Sequence, residues 1–342
     1  MRRVKVDYYF APGSSLAQAE DEARRAAGLG YDGFFAAETA HDPFLPLALA
    51  AGAAPGLTLG TAIAVAFPRS PMITASLAWD LASLTDGRFI LGLGTQVKAH
   101  INRRFSGEWL PPGPRMRDYL HALRAIFDTW QTGAPLKYEG EFYRFSLMTP
   151  FFDPGPIRHP DVPLAIAGVG PYLCRLAGEL CQGFHVHPFH TVKYLDEVVL
   201  PQIEIGAAAA GRSLADVERI TTVFVVTGHN QSEVEEAMNP VRRQIAFYAS
   251  TPDYTAVLEL HGWDFADKLR AMSRRGQWEE MAAVIPDEMI AEVAVVAPLG
   301  ELGAAIKARY GDRIQRIGYY TLERGAAWAP EEWSELIAST RA

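Results

Sequence analysis

The sequence predicts an α/β protein folded as a closed (β/α)8 TIM barrel. Stretches typical of strands and of helices alternate from the start of the chain, as parallel strands joined by right-handed helical crossovers require. Counted along the 342 residues, these units number eight, which closes a barrel. Because such barrels with insertions commonly form one domain, we expect a single domain over residues 1–342.

The order of the elements supports this count. Predicted strands cover residues 4–10, 32–38, 57–65, a run from 89, 163–167, 183–186, 220–226 and 317–322. Predicted helices cover 14–29, a stretch opened by Pro43, 73–84, 115–131, 172–180, 192–210, 233–250 and 299–310. Ser14 is a plausible N-cap of the first helix, and Gly30 ends it.

The stretch from Met72 to Val97 shows the unit most clearly. Apolar residues recur at helical spacing up to Leu84, Asp86-Gly87 interrupts them, and a buried strand follows. That strand ends in Gly92-Leu93-Gly94-Thr95-Gln96, where small residues let a ligand approach the backbone. We therefore expect a pocket at this strand end.

Three segments interrupt the rhythm, after strand four and before strand eight. Residues about 95–114 form the first of these segments. We expect no regular element to continue through its proline-rich part, Trp109-Leu110-Pro111-Pro112-Gly113-Pro114. Residues about 136–150 are aromatic and alternate around Glu139-Gly140, which predicts a short hairpin. Residues about 251–285 form the third, and extra helices are predicted within 251–315, including one from Gln277 to Val284. Such insertions commonly wall a pocket.

Composition excludes several classes of partner. The net charge of -8, without clustered Lys and Arg, argues against nucleic acid. No apolar run is long enough to span a bilayer, and no secretory leader is evident, so we expect no membrane partner. Two sparse cysteines, Cys174 and Cys181, are typical of a reducing compartment. The protein is expected to be cytoplasmic.

Gly168-Val169-Gly170-Pro171 is the sharpest motif at a predicted strand end. Two glycines and a proline between a buried strand and a helix leave N–H groups free to bind an anion, such as a phosphate. A tight turn without a ligand is the other interpretation.

His185 and His187 form a second candidate site. On a strand they would point to the same side, and such a pair can ligate zinc or another divalent metal, with His41 as a third ligand. The alternative is that both histidines line a pocket or serve the structure.

Glu38 and His41 follow the second strand. His41 could be a general acid or base, since imidazoles commonly exchange protons in enzymes, or a loop histidine that caps a helix. The Glu38 carboxylate could share the proton transfer or simply accept backbone hydrogen bonds.

Several motifs together resemble the bacterial luciferase-like monooxygenase superfamily, and its coenzyme F420-dependent branch in particular. They are Ala-Trp-Asp-Leu-Ala-Ser-Leu-Thr-Asp-Gly-Arg-Phe-Ile-Leu-Gly-Leu-Gly from Ala78 to Gly94, Gly60-Thr61-Ala62-Ile63, the Tyr-Glu-Gly-Glu-Phe-Tyr hairpin, and Pro163 to Pro171. The resemblance covers nearly the whole chain.

The resemblance implies a flavin-like ring at the carboxyl-terminal face of the barrel and hydride transfer at that ring. It also implies a non-proline cis peptide at Ala62-Ile63, and a cofactor phosphate on Gly168 to Gly170. The implied cofactor residues are Ala62, Ile63, Ala64, Thr95, Gln96, His100, Gly168, Val169, Gly170, His185 and His187, with His41 and Glu38 as catalytic residues and no metal.

Two positions depart from the family pattern. A catalytic histidine in this family usually follows directly after the acidic residue that ends strand two, whereas here Thr39 follows Glu38 and the histidine is His41. Sugar-phosphate dehydrogenases of this type tend to carry a carboxylate shortly after strand four, and Thr95-Gln96-Val97-Lys98 has none. Glucose-6-phosphate is therefore not the expected substrate.

The leading hypothesis is an F420-dependent oxidoreductase acting on a small organic molecule, with an FMN-dependent monooxygenase as the close variant. A metal-dependent hydrolase built on His185, His187 and His41 is the rival from another class. A barrel that only sequesters its cofactor is the third hypothesis. The resemblance also implies a homodimer formed through barrel helices.

Overall fold

A closed barrel of eight parallel strands forms the centre of the molecule in the computed structural model, which describes residues 3–321 and 328–341. The strands are β1 (Lys5–Phe10), β2 (Gly33–Ala36), β3 (Thr58–Thr61), β4 (Phe89–Gly94), β5 (Leu164–Gly168), β6 (Gly183–Val186), β7 (Glu218–Val226) and β8 (Arg316–Tyr320). Each strand pairs in parallel with the next, and β8 pairs with β1, with Lys5 opposite Arg316. The predicted (β/α)8 barrel is confirmed.

Helices surround this barrel. They are α1 (Ala19–Leu29), α2 (Phe44–Ala53), α3 (Pro71–Leu84), α4 (Lys98–Arg103), α5 (Pro112–Thr132), α6 (Pro171–Leu180), α7 (Leu200–Ala209), α8 (Gln231–Ala249), α9 (Thr255–His261), α10 (Ala266–Arg274), α11 (Trp278–Met281), α12 (Asp287–Val293), α13 (Leu299–Tyr310) and α14 (Pro330–Arg341). One turn (Val192–Tyr194) and a π turn (Leu195–Val199) lead into α7. Within the described ranges, no helix is long and apolar enough to cross a membrane.

The first helix begins later than the sequence indicated. Ser15, rather than Ser14, is the capping residue, and it introduces a 3-10 turn (Leu16–Gln18) through a capping box with Gln18 before α1 begins. Gly30 ends α1 in the left-handed region at φ 90°, as predicted.

The third predicted strand, residues 57–65, is not continuous. β3 ends at Thr61, the Ala62-Ile63 peptide is cis as the family resemblance implied, and a second short strand (Ala64–Val65) pairs with the end of β4. The predicted strand is therefore divided into two pieces at this peptide.

The unit from Met72 to Val97 has the predicted helix, turn and strand. The exposure of apolar side chains on its helix was not expected. Ser70 caps α3 through the Met72 N–H, and Asp86 and Gly87 form the turn at φ 52° and 80°. Trp79 faces the core, whereas the Ile73 and Leu84 side chains are 57% and 59% exposed. Part of the apolar pattern that predicted the helix lies at its surface.

The structure differs from the prediction at the start of one helix and in two added helices. The helix α5 begins at Pro112, inside the segment expected to be irregular, because proline is tolerated in a first turn where its missing N–H has no partner. Two helices, α4 and α14, were not predicted. The hairpin is present as Tyr138–Glu139 paired with Arg144–Phe145. The predicted end of strand eight at Leu322 lies outside the described residues.

Large side chains fill the lower part of the barrel interior. Phe35 packs with Ile90 and Ala165, and close approach requires glycine opposite it, since a Cβ on Gly60 would lie 2.3 Å from the Phe35 ring. Nearer the amino-terminal ends of the strands, Arg316 forms a two-point ion pair with Asp7 at 2.6 and 2.8 Å. This packing leaves the carboxyl-terminal rim as the place for a site.

Candidate functional site

The predicted site residues gather at the carboxyl-terminal rim of the barrel. The Ala62–Ala64 segment follows β3, Thr95 and Gln96 follow β4, Val169 and Gly170 follow β5, and His187 follows β6. Because the strands are parallel, their carboxyl ends meet at one face, which is where active sites of this fold lie.

Glu38 holds two segments of the rim together. Its backbone N–H donates to the Ile63 carbonyl oxygen at 3.0 Å. Its carboxylate oxygen Oε2 accepts from the Val65 N–H at 2.7 Å and from the Arg69 Nη1 at 2.5 Å. The same guanidinium donates from Nη2 to Asp42 Oδ2 at 2.7 Å. Glu38 thus accepts hydrogen bonds from a backbone N–H and from a guanidinium. Acceptance of backbone hydrogen bonds was one of the two roles considered for it from the sequence.

Arg69 has its charge stabilised in this cluster. Desolvation by burial lowers the pKa of Arg69, but the carboxylates of Glu38 and Asp42 outweigh it, and the net pKa is raised. The guanidinium also lies 5.7 Å from the centre of the Phe44 ring. It stays protonated and fixes the segment between β2 and α2.

His41 lies at the edge of this cluster and is exposed. It lines a small cavity at the ends of β1 and β2, together with Thr39. Its ring makes no side-chain hydrogen bond to residues 3–321 or 328–341 that would occupy either nitrogen. An imidazole placed in this way can exchange a proton with a small molecule.

Gly170 caps the amino terminus of α6 in extended conformation, and no side chain occupies the cap. Pro171 has no N–H, so the first free donors of the helix are those of Tyr172 and Leu173. A Cβ on Gly170 would find no heavy atom within 4 Å, whereas a Cβ on Gly168 would lie 2.5 Å from Leu173. The approach to the helix terminus is therefore open at Gly170, while Gly168 is needed for packing.

The residues after β4 form a tight turn. Gln96 lies at φ 58°, its Oε1 accepts from the Val97 N–H at 2.9 Å, and its carbonyl accepts from the Thr95 hydroxyl at 3.2 Å. His100 is exposed on the short helix α4. This turn borders the rim, and its polar side chains are partly committed to holding its own shape.

His185 faces the barrel interior. Its ring lies edge-on to Phe35, with centroids 6.3 Å apart, and its buried Nε2 has no hydrogen-bond partner in the described structure. Burial, followed by the positive charge of Arg316, lowers the pKa of His185 to about 3. The imidazole is neutral at physiological pH.

His187 lies one residue beyond β6 and packs into an aromatic cluster. Its Nδ1 accepts from the Phe189 N–H at 3.1 Å, its Nε2 lies 3.0 Å from the Tyr254 hydroxyl, and its ring stacks on Tyr254 at 4.3 Å. Burial lowers the pKa of His187 to about 3. Both ring nitrogens therefore have protein partners.

The metal interpretation finds no support in this arrangement. Across the described part of the chain, no group of three or more His, Cys, Asp or Glu side chains has the geometry to hold a metal ion. His187 uses both nitrogens within the protein, and His41 is placed on the segment after β2 rather than with β6.

Sequence reasoning missed two groups at this rim. Arg69 was not among the predicted site residues, although a charged residue between two prolines at a strand end was a usable signal. Tyr248 and Tyr254 come from α8 and the segment that follows it. No local pattern indicated that they would contact His187.

Two observations indicate that the rim could accommodate an anionic, flavin-like cofactor. The α6 terminus offers uncapped N–H donors beside the open position at Gly170, and the buried His185 Nε2 remains without a partner. Helix termini of this kind bind phosphate groups. The fold and the rim together define a TIM barrel whose carboxyl-terminal rim offers uncapped N–H donors to an anionic ligand.

The chain belongs to the luciferase-like monooxygenase family, whose model matches residues 5–316. A similar protein, an uncharacterized one of Mycobacterium tuberculosis (strain H37Rv), is 44% identical over 92% of this chain and 93% of its own length. Another protein of that strain, provisionally named a coenzyme F420-dependent oxidoreductase, is 27% identical over 80% of this chain and 82% of its own. The family and the second of these relatives support an oxidoreductase.

Solved structures share the fold. The coenzyme F420 dependent tetrahydromethanopterin reductase from Methanopyrus kandleri has a TM-score of 0.78 at 20% identity, covering 99% of this chain and 98% of its own. The oxygenating constituent of 3,6-diketocamphane monooxygenase of Pseudomonas putida, in complex with FMN, has a TM-score of 0.67 at 16% identity, covering 99% and 97%. At these identities the likeness concerns the fold alone.

Proposed function

We propose that this protein is a coenzyme F420-dependent oxidoreductase that transfers a hydride between the deazaflavin and a small organic substrate. The observation that carries the proposal is the match, over most of the chain, to a relative whose provisional name states that activity. The open, uncapped amino terminus of α6 supports it with a place for an anionic cofactor tail.

The residues that would hold the cofactor lie around the rim of the barrel. The tail phosphate would lie at Gly168, Val169 and Gly170, against the free N–H groups at the start of α6. The ring would lie among Ala62, Ile63, Ala64, Thr95, Gln96, His100, His185 and His187. When bound, the deazaflavin supplies the carbon that gives or accepts the hydride.

The protein's part in the chemistry is to position groups and move a proton. We assign the proton to a ring nitrogen of His41, which is exposed and lines a cavity at the rim. Glu38 is less suited to that role, because Val65 and Arg69 already bond its Oε2. Instead, Glu38 connects the His41 loop to the segment around Ile63.

An FMN-dependent monooxygenase is the second candidate, since a fold neighbour was solved with FMN. Such an enzyme would need a reductase partner and a site that shields its oxygen adduct. Binding of the two cofactors therefore separates the candidates, and turnover separates both from a barrel that only sequesters a cofactor.

The test is a fluorescence titration of the purified protein with F420 and, separately, FMN, in the wild type, Gly170→Ala and Gly170→Asp. A Cβ fits at Gly170, so Gly170→Ala should bind as the wild type does. Gly170→Asp should weaken F420 binding about tenfold or more, because a carboxylate there repels the phosphate. Preference for FMN would favour the monooxygenase, and equal binding by all three proteins would remove the α6 terminus from the site.

We further propose that the protein acts as a homodimer in the cytoplasm. Both cysteines are free and buried, which fits a reducing compartment. For the dimer, the support is the pair of packed helices α2 and α3, whose outer faces carry exposed leucine and isoleucine side chains.

A further inference from the structure

A cavity lies at the amino-terminal face of the barrel, at the end opposite to the rim described above. Its volume is about 310 Å³, and its lining residues lie at the starts of barrel strands or directly before them. Lys5 begins β1, Glu218 begins β7 and Arg316 begins β8. Because parallel strands start at one face, these residues surround the barrel axis. None of the residues proposed to hold the cofactor is among those that line this cavity.

Arg88, which directly precedes β4, also lines the cavity. Its carbonyl oxygen accepts from the Leu59 N–H at 2.8 Å, which extends the pairing of β3 with β4 to this residue. Two residues later, Ile90 packs with Phe35 and Ala165 in the barrel interior. Side chains two residues apart on an extended chain face the same side. The side chain of Arg88 therefore faces the barrel axis.

The other charged side chains around this cavity have partners. Lys5 Nζ donates to Glu218 Oε1 at 2.7 Å. Arg316 donates to Asp7 from Nε and Nη2, at 2.8 and 2.6 Å. Arg88, in contrast, makes no ion pair or side-chain hydrogen bond with the described part of the chain, and its Nε is buried. A buried N–H without an acceptor is unfavourable, so a ligand that accepts from it would be stabilised here.

The charges around the cavity indicate the charge of such a ligand. The pairs Lys5–Glu218 and Arg316–Asp7 are each neutral, which leaves the guanidinium of Arg88 uncompensated. A monoanion would neutralise it. A phosphate group carries up to two negative charges at neutral pH and would add the second one close to the Glu218 carboxylate. The cavity therefore favours a monoanion.

The pair of Arg316 and Asp7 shows how a carboxylate would bind. In that pair, Nε and one terminal nitrogen donate to the two oxygens of one carboxylate. The buried Nε of Arg88 belongs to the same edge of the guanidinium, and it has no protein partner. Ile90, Ile220 and Pro163 also line the cavity and would contact an apolar part of the ligand.

We propose that Arg88 binds the carboxylate of a small organic acid with an apolar body, at the amino-terminal face of the barrel. The inference goes beyond the proposed function, because the proposed cofactor residues lie at the opposite face. Small-molecule sites have volumes of about 300–1,000 Å³, so a cavity of about 310 Å³ fits a ligand near the lower limit. Benzoate is a simple anion of this class, and benzamide is its neutral counterpart.

The experiment is isothermal titration calorimetry of the purified protein with benzoate, benzamide and inorganic phosphate. The wild type is compared with Arg88→Gln and Arg274→Gln. Arg274 is exposed on α10 and does not line the cavity. Both variants lose one positive charge, so Arg274→Gln is the matched control for the net charge of the protein.

We expect benzoate to bind the wild type and Arg274→Gln equally, and Arg88→Gln about tenfold or more weakly. The wild type should bind benzamide and phosphate about tenfold or more weakly than benzoate. Absence of benzoate binding to the wild type, equal binding by Arg88→Gln, or a preference for either other ligand would overturn the inference.

A second measurement serves if Arg88→Gln does not fold. Crystals of the wild-type protein soaked in 4-bromobenzoate locate the ligand through the anomalous signal of bromine. A peak in the cavity, with the carboxylate on Arg88, is the expected result. Bromine bound only elsewhere, or not at all, would refute the site.

Discussion

The Glu38 carboxylate is almost shut off from solvent, with 5% of its side chain exposed, and its ionic partner Arg69 is 16% exposed. Breaking such a pair from one side leaves a buried charge without compensation. We expect Arg69→Leu to lower the free energy of unfolding by about 3 kcal/mol. Urea denaturation followed by tryptophan fluorescence measures this loss.

Glu38→Gln is the matched control. The amide oxygen can still accept from the Val65 N–H, and Arg69 retains Asp42, so a loss of about 1 kcal/mol is expected. A larger loss in Glu38→Gln than in Arg69→Leu would contradict the view that the carboxylate serves mainly as the partner of Arg69.

Single residues also show how much of the candidate site could be predicted from the sequence. The family motif located the cis peptide at Ala62-Ile63, and the structure has it there. The partner of Glu38 is 31 positions away, and no local spacing reports such a contact. The roles of His41, Gly170 and the other rim residues stay predictions, because they depend on bound molecules.

At the scale of elements, His229 bridges the start of α8 to the C-terminal helix α14. Its Nδ1 lies 3.0 Å from Glu233 Oε2, and its Nε2 lies 2.6 Å from Glu332 Oε1. The hydrogen bonds to Glu332 and then Glu233 raise the pKa of His229. A raised folded-state pKa means that the stabilisation is fully present below the unfolded value of 6.5 and is lost as pH rises through the folded value.

This bridge predicts that α14 is held less tightly at alkaline pH. Hydrogen-exchange protection factors of the α14 amides should be constant below the unfolded value of 6.5 and fall as the pH rises through the folded-state pKa of His229 in the wild type. In His229→Gln, protection should be lower at pH 6 and nearly independent of pH. A pH dependence that survives in His229→Gln would assign the effect to another group.

The elements themselves were largely predictable, and the exceptions have physical causes. Alternating apolar runs and glycine or proline boundaries located all eight barrel strands. The predicted third strand was too long, because backbone geometry rather than composition divides it at Ala62-Ile63. Prolines 112 and 114 were taken as breakers, although a first helical turn tolerates them. The burial of α3 depends on its neighbours, which periodicity alone does not specify.

At the scale of the whole molecule, the outer faces of α2 and α3 carry apolar side chains that the barrel does not cover. Ile73 and Leu84 on α3 are 57% and 59% exposed, and Leu49 on α2 is also exposed. The two helices pack against each other, so their outer faces adjoin. Apolar regions of this kind mark interaction sites, and a second copy of the chain is the occupant we propose.

A charge placed in that region should dissociate the dimer. Ile73→Glu would bury a carboxylate at the interface, which costs more than the apolar contact contributes. Ile205→Glu on α7 is a matched control, because Ile205 is similarly exposed at 52% but lies on another helix. Sedimentation equilibrium should show dimers for the wild type and Ile205→Glu and monomers for Ile73→Glu. A monomeric wild type would refute the dimer, and dimers in all three proteins would place its interface away from α3.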